Sequence, residues 1–223
     1  MSDNMLGQNA NWRMIVRPLL AAAMVLAVMG HAAAKDAQKL DRITEIYNSG
    51  NVAKAIPPLK SYLSVHADDD LGWTLLGQAY KDVGQNAEAK KAYSEALKQN
   101  PKRVEALTGL GMLARIAKNY GEAMNRYEQA IKIDPKFGQA YSSMVTIALK
   151  WGDFKKAVSI GEKGFQLDSK DPTIAANLAM AYHYNKQIEA RDKMTKTAAK
   201  LGYSRADMDV LAKVYSGELT VMD

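Results

Sequence analysis

Residues Asp70 to Arg103 read DLGWTLLGQAYKDVGQNAEAKKAYSEALKQNPKR. At about 100° per residue, Trp73, Leu76, Gly77 and Tyr80 fall on one face of a first helix. Ala89, Tyr93 and Ala96 do the same on a second. Small residues at Gly77 and Ala89 allow two antiparallel helices to touch backbone to backbone, with Trp73, Tyr80 and Tyr93 filling the wider gaps around that contact. Pro101 then stops the second helix and turns the chain onward.

The pattern returns at 34-residue steps along the chain. A unit beginning at Val104 keeps Leu107, Leu110, Gly111, Ala123, Tyr127, Ala130 and Pro135. The next, from Gly138, is looser: Tyr141 stands for Trp73, Met144 and Val145 for the leucine-glycine pair, and Gly161 and Gly164 where an aromatic and an alanine are expected. Each glycine costs a helix interior about 1 kcal/mol against alanine, so both read as sites of close packing. A fifth unit starts near Pro172 with Leu178, Ala179 and Tyr182. Its inter-helix turn reads as one residue shorter, which puts Ala190, Met194 and Thr197 in its second helix. A degenerate first unit starts near Asp36, with Leu40, Ile43 and Ile46 at helical spacing, Gly50 in register with Gly84, and Ala55 with Ala89. Pro57 and Pro58 then either bend its second helix or sit in the first turn of a helix that starts late. Ser204, a candidate N-cap with Asp207 three residues on, opens a final amphipathic helix carrying Met208, Leu211, Ala212 and Tyr215.

Trp73, Leu76-Gly77, Tyr80, Ala89, Tyr93, Ala96 and Pro101 stand where a tetratricopeptide repeat carries its signature residues. The chain resembles that family with high specificity from Asp70 to Pro135 and more weakly from Asp36 to Gly202. The resemblance implies an all-α, right-handed superhelical solenoid of antiparallel helix pairs, about five units beginning near 36, 70, 104, 138 and 172. Residues 35–203 would form the array, and 204–223 a capping helix that keeps its last apolar face from solvent.

Residues 1–34 read differently. Arg13 and Arg17 precede an uncharged apolar run, Pro18 to Gly30, and then His31-Ala32-Ala33-Ala34. This is the pattern of a secretory signal peptide, with cleavage expected after Ala34 and a second candidate after Ala32. The run is short for a bilayer core of about 30 Å, though an uncleaved anchor is the competing reading and would bring membrane contact. Translation could start at Met1, Met5 or Met14. The reading places the mature protein in the periplasm or outside the cell.

Composition narrows function further. The 30 basic and 24 acidic side chains leave a net charge of +6, interspersed rather than gathered, which argues against nucleic acid as a partner. There is no cysteine, hence no disulfide, thiolate metal site or catalytic thiol. Beyond the leader only His66 and His183 remain, in different units, so neither a metal site nor a cofactor is expected. The glycines of Gly109-Leu110-Gly111 lie within a helical pattern and lack the strand-to-helix setting of a phosphate loop. Asp68-Asp69-Asp70 reads as a cap for the following helix. Nothing resembles a catalytic constellation, and the expectation is a non-enzyme.

In tetratricopeptide proteins the side of each first helix that faces away from its partner lines a concave groove, so the resemblance implies a bound peptide or extended segment there. In this sequence those positions carry Gln78 and Lys81, then Thr108, Met112 and Arg115, then Thr146 and Lys150, then Asn177, His183 and Tyr184. Thr44, Tyr47, Thr74, Gln139, Ser142 and Met180 extend the same surface. Some co-chaperones of the family hold a peptide carboxylate with a lysine and asparagine clamp; the corresponding positions here hold Thr74, Gln78, Gly109, Gln139 and Ser143, and that clamp is absent. The expected function is a scaffold that binds a protein or peptide partner with acidic character during assembly of a cell-envelope complex, with self-association left open. The alternatives are an accessory component of an envelope enzyme and a membrane-anchored assembly factor such as serves cytochrome maturation. Amino-terminal sequencing of the protein from its native host should read Lys35-Asp36; an intact apolar run would mean an anchor, and a full-length cytoplasmic chain would refute export.

Overall fold

The computed structural model describes residues 38–219, and the leader reading of residues 1–34 lies outside them. All regular structure among the described residues is helical. The chain divides into two compact units between Val65 and His66.

The first unit contains α1 (residues 38–48) and α2 (Val52–Leu63), joined through Gly50 at φ +82°. A side chain is strained in that left-handed region and glycine is not. Ile43 on α1 and Ala55, Leu59, Tyr62 and Leu63 on α2 are buried, while Ile46 is exposed, so its apolar side chain does not belong to the core stripe. Pro57 and Pro58 lie within α2, which continues through them. The late-starting helix is thereby excluded.

The second unit is a run of helix pairs. The first helices are α3 (Asp70–Asp82), α5 (Val104–Ile116), α7 (Gly138–Lys150) and α9 (Pro172–Tyr184). Their partners are α4 (Asn86–Gln99), α6 (Tyr120–Ile133), α8 (Phe154–Leu167) and α10 (Ile188–Lys200), and α11 (Arg205–Ser216) follows. Each helix packs on its pair mate and, within the run, on the first helix of the next pair, α4 on α5 and α3 on α5, for example. This is an all-α solenoid built by adjacent packing.

Both helices of every pair begin 34 residues after their predecessors, including α9 and α10. The last inter-helix turn, residues 185–187, is therefore as long as the others, and the shorter turn read from the sequence is corrected. The cause is the residue at the register position of Ala89, Ala123 and Ala157: in the last pair it is Arg191, whose long side chain hides the repeat from a pattern keyed to alanine. Met194 and Ala198 are buried on α10, whereas Ala190 and Thr197 are only partly covered. The turns themselves repeat. Gly84 and Gly152 take φ +78° and +71°, and Lys118 and Lys186 occupy the same left-handed position at +59° and +61°.

Small and large side chains alternate across the helix contacts. The Tyr93 ring lies over Gly77 of its own pair, where an added Cβ would come within 2.7 Å, and over Gly109 of the next, where it would come closer still. Tyr127 repeats this against Gly111. Gly77 is thus small for the sake of a ring rather than a backbone, which corrects the expectation of direct helix-to-helix contact there. In the third pair the sizes are exchanged: Gly164 makes room for Tyr141, and Gly161 for Leu178. Trp73, expected as core, is half-buried and donates its indole N–H to the Ala67 carbonyl at 2.9 Å.

Caps define the helix starts. Asp69 accepts from the Leu71 and Gly72 amides, so the aspartate run caps α3 as expected. Asp70 accepts from Arg103 and from Asn100 Nδ2 (3.0 Å), tying the start of α3 to the chain leaving α4. Burial alone would raise the Asp70 carboxyl, but those two donors outweigh it and hold the group below the usual carboxylate range. Ser204 caps α11 as expected, accepting from the Asp207 amide at 3.1 Å. On α11 the buried residues are Leu211 and Val214, with Met208 and Tyr215 partly covered; Ala212 is exposed, and Val214 takes the core position expected of it.

Gly109→Ala should destabilise by about 1–3 kcal/mol, because the methyl meets an aromatic ring fixed between two helices. Urea melts should show a smaller loss when the same change is made in a Tyr93→Leu background, where the ring is gone; equal losses would refute the contact. Lys118→Gly should raise stability by about 1 kcal/mol by relieving the left-handed backbone, and an unchanged midpoint would count against strain at that turn.

Candidate functional site

The exposed sides of α3, α5, α7 and α9 bring most of the sequence-predicted residues together, in two cavities one repeat apart. In the first, Gln78 and Lys81 of α3 face Glu105, Thr108, Gly109 and Met112 of α5 and Gln139 of α7, around a volume of about 60 Å³. In the second, Arg115 of α5 faces Gln139, Ser142, Ser143 and Thr146 of α7 and Thr173 and Asn177 of α9, around about 340 Å³, with Asp171 at the same wall. Adding 34 to Lys81, Glu105, Thr108, Gly109 and Met112 gives Arg115, Gln139, Ser142, Ser143 and Thr146. The cavities are the same place in successive repeats, furnished differently.

The first is electrostatically closed. Lys81 Nζ lies 2.6 Å from Asp82 Oδ1, and Glu105 adds a carboxylate to the wall. Thr108 is buried, and its hydroxyl donates back to the Val104 and Glu105 carbonyls at 3.0 Å. Thr74, also buried, donates to the Asp70 carbonyl. These threonines are positioned by their own helix and offer little to a visitor.

The second is open. Arg115 forms no ion pair among the described residues, and its Nε is buried without a hydrogen-bond partner. The Ser142 hydroxyl and the Tyr127 phenol are likewise buried and unpartnered. Burial pushes the Tyr127 phenol up, and the adjacent Ser143 and Arg115 offset part of that. Tyr127 belongs to α6; its ring lies against Gly111, and it does not line the cavity. Asn177 donates from Nδ2 to the Ser142 carbonyl at 3.3 Å, locking α9 to α7 across the cavity floor. The Asp171 carboxylate is already engaged, since Oδ1 accepts from the Thr173 and Ile174 amides at 2.7 and 3.3 Å.

Three of the predicted residues stand apart. Lys150 is half-buried at the end of α7 and lines neither cavity; the register position of Lys81 and Arg115 holds the buried Leu149 instead. The Tyr184 ring stacks on Phe154 with centroids 5.3 Å apart. His183 packs against Tyr184 and, at 4.9 Å, against Tyr215 of α11. Tyr215 is in turn covered by the Arg191 guanidinium at 4.9 Å and bonded to the Thr195 hydroxyl at 3.0 Å. This cluster anchors the last helix. Sequence reasoning placed Ser143, Thr173 and Tyr127 outside the candidate set; the signal was present, because Ser143 replaces Gly109 and so puts a hydroxyl where the preceding repeat has none.

Burial, followed by the nearby Arg191 charge, lowers the His183 pKa below its ordinary value of 6.5. The folded protein therefore resists protonation that the unfolded chain accepts, and stability is full above about pH 6.5 and falls as pH drops through the window down to the lowered pKa. Urea melts between pH 7.5 and 5 should show this loss, and His183→Gln should reduce it; an identical pH slope in the variant would refute the assignment.

Residues 74–136 match the family model described as tetratricopeptide repeat. The sequence matches none of the curated proteins. Among solved structures, PilF of Pseudomonas aeruginosa superposes with a TM-score of 0.70 at 18% identity, over 82% of this chain and 85% of that one. PilW, described as a widely conserved type IV pilus biogenesis factor, gives 0.70 at 18% over 84% and 88%. YrrB, described as a TPR protein with an unusual peptide-binding site, gives 0.57 at 15% over 81% and 91%. These likenesses concern the fold. Together with the uniform 34-residue period of the helix pairs, they show that residues 74–136 belong to the tetratricopeptide-repeat family and that the pairs following them carry the same fold.

Proposed function

We propose that the protein is a non-catalytic scaffold that binds an extended segment of a partner protein along the exposed sides of α3, α5, α7 and α9. The observation that carries this is the succession of two cavities at equivalent positions of neighbouring repeats, with buried polar atoms left unpartnered in the second. Buried polar groups without partners are uncommon in folded proteins, because each forfeits its hydration. A ligand that supplies the missing partners restores that loss, and an extended backbone laid across successive repeats meets them at regular intervals. The free Arg115 charge favours a partner with acidic residues.

An envelope role, reached by export of the mature chain from Lys35, fits the leader pattern and accords with the structural likeness to a pilus biogenesis factor. Among the described residues no helix is long and apolar enough to cross a membrane. The partner would then be a component of an envelope assembly, held at the groove while other components join it.

A photo-crosslinking residue placed at Met112 or Thr146 in the native host should capture a discrete partner. The same residue at the exposed Lys132 or Lys163, on second helices, should not. Capture from the second helices alone would place binding on the other side of the array and overturn the groove assignment. A partner recovered only from the cytoplasm would remove the envelope role.

A further inference from the structure

We infer that the cavity at Arg115 is a specific receptor for a single carboxylate of a bound peptide, and that the equivalent cavity one repeat earlier rejects one. The inference rests on the groove reading above and adds which chemical group is recognised and where.

The repeat provides the comparison. In the first cavity the cation, Lys81, is neutralised by Asp82, and Glu105 contributes a carboxylate of its own. Glu105 is itself paired with Arg103 at 3.6 Å, so an incoming carboxylate would meet another carboxylate in the wall and no free cation. One repeat later the charges are arranged differently, although Asp171 keeps a carboxylate in the wall. Gln139 stands for Glu105, Arg115 for Lys81, and no described acidic side chain pairs with Arg115. Gly109 and Thr108 become Ser143 and Ser142, which add a hydroxyl and free another from its helix. The cavity enlarges from about 60 to about 340 Å³. One repeat further on Leu149 occupies the cation position, and after it His183, which packs against Tyr184 and Tyr215.

Geometry and chemistry agree on the ligand. A guanidinium presents a planar fork of donors that matches the two oxygens of a carboxylate, and the buried Nε of Arg115 is a donor with no acceptor. The unpartnered Ser142 hydroxyl, in the cavity wall, is a further donor. Asp171, the acid in the wall, has one oxygen committed to two α9 amides, and the helix N-terminus there offsets its charge. A neutral amide ligand would satisfy one or two of these groups; a carboxylate satisfies the charge as well. The family's lysine and asparagine clamp takes no part, since those positions carry Thr74, Gln78, Gly109, Gln139 and Ser143.

The carboxylate could come from a glutamate side chain or from a peptide carboxyl terminus, and the test separates the two. The full mature chain, labelled with ¹⁵N, is titrated with acetyl-Ala-Ala-Glu-Ala-amide, with acetyl-Ala-Ala-Gln-Ala-amide and with acetyl-Ala-Ala-Gln-Ala bearing a free carboxylate. The arginine Nε–H resonance of Arg115, assigned by its disappearance in Arg115→Lys, reports the site directly. Either carboxylate peptide should shift it saturably, the one that does so naming the source, and the amide peptide should bind at least about tenfold more weakly. Ser142→Ala should weaken the carboxylate peptide by about fivefold or more without lowering the melting temperature, because the hydroxyl it removes bonds nothing in the free protein. Equal affinity for the neutral and charged peptides, with shifts along α5 and α7 amides, would overturn the carboxylate site while leaving the groove as a binding surface. Movement of neither the Arg115 resonance nor those amides by any peptide would overturn this inference, whereas the groove itself would fall only with the crosslinking result.

Discussion

The fold depends on aromatic rings set against glycines. Tyr93 and Tyr127 come from second helices, yet each ring lies on a glycine of a first helix, and Tyr93 lies on glycines of two consecutive first helices. One side chain thereby fixes both the spacing within a pair and the spacing between pairs. The contact is tight, because interiors are close-packed and a methyl at Gly77, Gly109 or Gly111 would displace the ring. It also explains why the repeat survives a large change of sequence in the third pair: where the second helix loses its tyrosine to Gly161, the following first helix supplies Leu178, and where the first helix gains Tyr141, the second gives way at Gly164. Volume is conserved across the interface although neither surface is.

That constraint decides how much could be read beforehand. The helix pairs, their starts near 70, 104, 138 and 172, the packing role of Gly161 and Gly164 and the Ser204 cap all follow from spacing and residue size, which the chain spells out locally. What escaped the sequence is non-local. Arg191 stands at an alanine position because Tyr215, two dozen residues later, covers its guanidinium, and without that partner the register of α10 reads as shifted. Ile46 and Ala212 have the right period and the wrong exposure, since periodicity marks a face without saying how wide its cover is. Lys118 and Lys186 show the same limit at the turns, where the helix geometry on both sides imposes a glycine-like backbone on lysine.

The groove was legible as a surface and not as a set of roles. Helical phase alone indicates which residues of α3, α5, α7 and α9 face away from their partners, and most of the ten candidates do gather there. Phase does not tell a residue that is free from one that is spent. Thr108 is occupied by its own helix, Lys81 by the next residue along, Asn177 by a carbonyl of α7, and His183 and Tyr184 by aromatic neighbours. Distances are needed for that distinction, and of the cations lining the two cavities they leave Arg115 without an ion pair among the described residues.

A periodic fold makes such a residue stand out. Backbone and packing are nearly the same in each pair, so equivalent cavities differ only in what lines them, and each repeat serves as the control for its neighbour. Positions that must hold the rings and glycines in place are fixed by packing, which leaves the outward positions of the first helices free to vary without cost to the fold. Variation there is neutral for stability as long as every polar group finds a partner. At Arg115 and Ser142 that condition is not met among the described residues, and the unmet donors cost the free protein stability that an apolar lining would not. A repeat array tolerates such costs, which the Tyr141 phenol and His183 Nδ1 also carry, because its stability is the sum of many interfaces.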